Sequence, residues 1–122
     1  MGEWTTFTPT RAAAAGTWTG GTVPTAAYML VGKTLFIDLN VDASSNSNVT
    51  GTVSITIPGG FTAAAQSAAP VALYDLGVEI ADGVFLALAG ATTVAFHRAN
   101  GANISINVAT LYVHAQFCLE VQ

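Results

Sequence analysis

Two stretches of this chain alternate with a strict period of two, and that alternation restricts it to a β fold. From Lys33 onward, Leu35, Ile37, Leu39 and Val41 share one face, while Thr34, Asp38, Asn40 and Asp42 share the other. Towards the far end, Leu111, Val113, Ala115, Phe117, Leu119 and Val121 alternate with Tyr112, His114, Gln116, Cys118 and Glu120. Successive side chains of a strand point to opposite sides of its sheet, so such a repeat marks a strand with one buried face. Phe36 interrupts the polar face of the first stretch, and an aromatic ring among polar neighbours is either a contact residue or half-covered by a loop.

The remaining segments read as further strands separated by turn signals. Residues 3–10 form a short edge strand closed by Pro9, which cannot donate to a central ladder. Residues 11–15, too short to hold a helix, are expected as a connector or single turn. Residues 16–21 make a short strand between glycines, with Trp18 either plugging one end of the core or facing a neighbouring subunit. Residues 1–22 are thus an N-terminal edge strand and connector. Residues 23–31 pair with the first alternating stretch across a Gly32-Lys33 hairpin. A polar turn is expected at 43–48, then a strand at 50–57 with Val53, Ile55 and Ile57 inward, ended by Pro58-Gly59-Gly60. Residues 61–69 suit a long crossover. Residues 70–80 form a strand whose phase slips near Tyr74-Asp75, as a bulge would cause. Turns at Asp82-Gly83, Gly90 and Asn100-Gly101 separate strands at 84–88, 92–97 and 103–108. The expectation is a single all-β domain over residues 1–122, an antiparallel β-sandwich, jelly-roll-like, with about nine or ten strands.

Charge decides which functions such a domain can have. Charged residues are only 8% of the 122, against about 25% in ordinary soluble domains. The surface must therefore be built from Thr, Ser, Asn, Gly and Ala. A free monomer keeps itself apart with charge, so the expectation is a surface covered by copies of itself or by a larger particle. The candidate oligomer interface is Trp4, Phe7, Tyr112, His114 and Gln116, with Trp18 and Phe36 as candidate contact aromatics. Net charge is −4, with Arg11, Lys33 and Arg98 the three cations. Three scattered cations make no phosphate footprint, so neither nucleic acid nor an anionic membrane is an expected partner. No apolar run approaches the roughly 20 residues of a membrane span.

No reaction is legible. His97 and His114 stand outside any cluster of the three or four converging ligands that zinc requires. There is no Gly-x-Ser-x-Gly nucleophile elbow. Asp38-x-Asn40-x-Asp42-x-Ser44 imitates the start of a calcium loop, but Ala43 stands where the turn needs glycine, and Val49 where it needs a bidentate Glu. Asp75, Glu79 and Asp82 are the one carboxylate cluster, and nothing places them across a cleft. Lys33-Thr34 lacks the upstream glycines of a phosphate loop. Cys118, the single cysteine, is expected as a small buried hydrophobe. The sequons at Asn48 and Asn103 are short matches of the kind that arise by chance. No catalytic residue, metal or cofactor is expected, and the chain does not read as an enzyme.

The order of WTTFTPT, GTWTGG, AAYMLVGKTLFIDLNV and VSITIPGG over residues 3–60 resembles small β-sandwich domains of tailed-bacteriophage virion proteins, especially at the ends of tail fibres and related appendages. These share a Trp-x-x-aromatic-Thr-Pro opening, a Gly-Thr-x-Thr-Gly segment, a Tyr before a Gly-Lys hairpin and a strand ending in Pro. The resemblance implies a structural or receptor-facing domain of the virion. Its partners would be copies of itself, commonly in a homotrimer, and other virion proteins such as capsid or tail. An opening at Met1 with no shaft repeat before it also suits a free-standing decoration protein. The alternative expectation is a carbohydrate- or receptor-binding module for host recognition. Jelly rolls host lectins, and Trp4, Trp18 or Phe36 would stack on a host-surface glycan.

Overall fold

The alternating stretches become the two central strands of a curled antiparallel sheet. The computed structural model describes residues 3–13, 17–47, 49–51, 53–75, 78–98, 104–106 and 110–122. Along them run β1 (Thr5–Thr6), β2 (Arg11–Ala13), β3 (Thr17–Thr19), β4 (Thr22–Val31), β5 (Thr34–Ser47) and β6 (Val49–Gly51). There follow β7 (Val53–Thr56), β8 (Ser67–Asp75), β9 (Val78–Ala87), β10 (Thr93–Arg98), β11 (Ile104–Ile106) and β12 (Thr110–Glu120). One ten-stranded sheet has the order β1-β4-β5-β12-β8-β9-β10-β7-β2, with β3 also paired to β5, and β11-β6 form a separate ribbon. The all-β, antiparallel fold expected from the alternation holds.

Hydrogen bonding runs through one continuous sheet, and curl brings its inner faces together. The Phe117 ring on β12 stacks on Phe85 of β9 at 4.3 Å and meets Phe96 of β10 edge-on at 6.1 Å. Yet β8 separates β12 from β9 in the hydrogen-bonded order. The seam closes similarly. β2 ends the order, but the Arg11 guanidinium lies 5.5 Å over the ring of Trp18 on β3 and donates to the Gly20 carbonyl at 2.8 Å. Partial burial lowers the Arg11 pKa from its ordinary value. Between these faces Leu35, Ile37, Leu39 and Val41 of β5 are buried with Val53, Ile55, Ile57, Val113, Phe117 and Leu119, each on its expected inward phase.

The turn signals fare less evenly. Gly32-Lys33 links β4 to β5 with Val31 paired to Thr34, and Gly32 has φ +61°, the positive value a two-residue hairpin loop requires at its first position. Gly90 turns with φ +81°, and Pro58–Gly60 forms a 3-10 turn after β7. Other readings are corrected. Residues 11–13 are a strand, because β7 offers them a partner. Residues 43–47 make no turn: β5 continues to Ser47, laddered to β3 over 45–47 and to β12 at Ser44 and Ser45. The single strand at 50–57 is two, β6 pairing with β11 and β7 with β10. Within the supposed crossover, Ala63 bridges to Val121 and 67–69 already belong to β8. The slip near Tyr74 exists, between Leu73 and Tyr74, but the second phase belongs to a new strand, β9, which folds back on β8. Asp82-Gly83 is not a turn, because β9 passes through it with Gly83 paired to Val71 on one side and Arg98 on the other. Asn100-Gly101 lies outside the described residues.

Candidate functional site

Pairing register gathers the site on the outer face of β4, β5 and β12. Met29 pairs with Phe36 and Phe36 with Cys118, making one row across three strands. Ala27, Asp38 and Gln116 make the next, and Thr25, Asn40 and His114 the one after. Thr6 of β1 pairs with Ala27, so Trp4, two residues earlier, falls on the same outward phase and extends the first row. Here lies an open cleft of about 330 Å³, bordered by Trp4, Phe36, Asp38, Gln116 and Cys118 over the buried Ile37 and Phe117. Trp4 is 54% exposed, and Phe36 and Asp38 are half-buried. Among the described residues lining it, Asp38 is the one charged side chain. A second groove, about 240 Å³ along Phe7, Pro9, Val23 and Pro24, has threonine hydroxyls as its polar side-chain groups.

Further along the same face, His114 Nε2 donates to Asp42 Oδ1 at 2.6 Å, tying β12 to β5 diagonally. The two side chains are 43% and 34% exposed, so water screens the contact. The Tyr112 ring meets the His114 ring edge-on at 6.4 Å. The face thus has two parts: an aromatic cleft around Trp4 and Phe36, and a polar patch around Tyr112, His114 and Asp42.

This arrangement sorts the residues expected at contacts. Trp4, Phe36 and Gln116 come together in the cleft, and Tyr112 and His114 in the patch. Phe7 does not join them. It packs inward, edge-on against Tyr28 at 6.0 Å and against the core, because the Phe7 amide donates to Ala26 and so places it on the inward phase. Of the two readings of Trp18, the core plug holds and the contact aromatic does not: at 2% exposure it is a core residue under Arg11. Cys118 is exposed rather than buried, since it falls on the outward phase of β12. The outer face of Phe36, Asp38, Asn40 and Asp42 reads from sequence as a contact surface, whereas Cys118 in the cleft and the pairing of Asp42 with His114 do not. Their polar phase was visible, but the register of β5 on β12 was not. Asp38, Asn40 and Asp42 follow one another along the outer phase of β5, and among the described residues no three His, Cys, Asp or Glu are grouped to hold a metal ion. The side chains of Asp75, Glu79 and Asp82, and the sequon residues Asn48 and Asn103, lie outside the described residues.

Chemically, the cleft is lined by two aromatic side chains, a carboxylate, an amide and a thiol, groups suited to apolar packing and hydrogen bonding. Compared with known proteins, the chain matches no family model, no curated protein and no solved structure.

Proposed function

We propose that this chain is a non-enzymatic structural protein of a bacteriophage virion, assembling with copies of itself as a homotrimer in a tail-fibre, appendage or decoration role. The observation that carries this reading is the exposure of Val31 (41%) and Leu88 (54%), both outside the Trp4 cleft, on a chain with three cations and seven acids. Large apolar side chains left in water on so weakly charged a surface favour burial against another protein. The ordered motifs of residues 3–60 and their resemblance to virion domains supply the particle. Within the subunit, the Tyr112–His114 patch is the self-contact assigned by this reading, since it is strand-borne and its one carboxylate, Asp42, is hydrogen-bonded to His114.

The test is mass and particle binding. Light scattering at high micromolar concentration is expected to give three times the subunit mass, and the purified protein is expected to bind virions that lack it. A monomer that ignores such particles overturns the proposal.

A further inference from the structure

We propose that the cleft between Trp4 and Phe36 is a binding site for neutral saccharides. Exposed Trp4 and half-buried Phe36 border one cleft of about 330 Å³, within the range of small-ligand sites, about 300–1,000 Å³. The C–H faces of a pyranose pack on aromatic rings, while its hydroxyls need donors and acceptors beside them. Asp38 accepts, and Gln116 both donates and accepts. Register sets these two opposite each other on adjacent strands, so the polar pair is held by the sheet rather than by a loop.

Charge narrows the ligand class. Asp38 is the one charged side chain among the described lining residues, so the carboxylate of a sialic or uronic acid, or a sulfate, would meet negative charge with no cation to offset it. A second copy suits the cleft less well. It would strip water from Asp38, and this chain has only Arg11, Lys33 and Arg98 to compensate, of which Arg11 is held by Trp18 and Gly20. The site does not depend on the virion reading, because it is complete within one subunit.

The experiment titrates the whole protein with neutral gluco-, galacto- and manno-oligosaccharides and with sialyllactose, read by saturation-transfer NMR and calorimetry. At least one neutral series is expected to bind and sialyllactose to be excluded. Trp4→Ala, a change at an exposed side chain before β1, is expected to weaken binding about tenfold or more with an unchanged melting temperature. Asp38→Asn is expected to admit sialyllactose. Absence of neutral binding at millimolar concentration overturns the proposal, as does binding that survives both Trp4→Ala and Phe36→Ala. Continued exclusion of sialyllactose by Asp38→Asn overturns the assignment of neutral ligands. If Trp4→Ala instead dissolves the oligomer and the parent binds no saccharide, the cleft belongs to a second copy and the proposal fails. Loss of saccharide binding with the trimer intact, or the reverse, separates this site from the self-contact.

Discussion

Phe117 holds together strands that share no hydrogen bonds. Its ring touches Phe85 and Phe96 on the opposite wall of the curl, so removing it opens a cavity where the faces meet. Phe117→Ala is expected to cost about 3–5 kcal/mol, measured by urea denaturation; a loss below about 1 kcal/mol would mean that the walls collapse onto each other. Two glycines separate backbone strain from crowding. At Gly32 a Cβ would meet open space, so Gly32→Ala carries only the strain of φ +61°, about 1–2 kcal/mol. At Gly59 the same change adds a clash, because a Cβ would lie 2.7 Å and 2.9 Å from the Phe61 ring, with Tyr28 at 3.4 Å. Phe61 packs against the core and has little freedom to step aside. Gly59→Ala should therefore lower the melting temperature clearly more than Gly32→Ala, and equal losses would show that the ring moves.

Pairing between elements explains what was legible beforehand and what was not. The alternation of β5 and β12 reports a local property, burial of one face, and their inward residues are the buried ones. Turn signals are local too, but ladders on both sides can override them. Ser44, Ser45 and Asn46 prefer turns as residues, and β3 and β12 nevertheless hold them extended. Gly83 behaves likewise between β8 and β10. The cleft was half-legible for the same reason. Trp4, Phe36 and Gln116 were each visible as contact candidates, but only register brings residues 4, 36 and 116 together. The His114–Asp42 contact belongs at this scale, since it joins β12 to β5. A double-mutant cycle with His114→Ala and Asp42→Ala, read by thermal or urea unfolding, is expected to give a coupling of about 0.2–1 kcal/mol, the range for screened pairs. A coupling above about 2 kcal/mol would show that water is excluded there.

The whole molecule exposes the area usual for a folded monomer of its mass. Its accessible area is 6055 Å², close to the roughly 6,100 Å² expected of a folded monomer of this mass. Assembly is thus expected to join finished subunits rather than complete the core. A ring trimer gives each subunit two contacts of about 800 Å², about a quarter of that area, which the weakly charged outer surface can supply. If the Tyr112–His114 patch is one of those contacts, a carboxylate placed there is stripped of water beside Asp42, which already occupies His114, a cost of several kcal/mol at a packed interface. Tyr112→Glu is therefore expected to reduce the mass by light scattering from trimer to monomer. The far-UV circular dichroism should stay unchanged, because Tyr112 lies on the outward phase of β12 and not in the core. An unchanged mass would move the contact off this patch. A monomer that has also lost its β spectrum would show that assembly completes the fold after all.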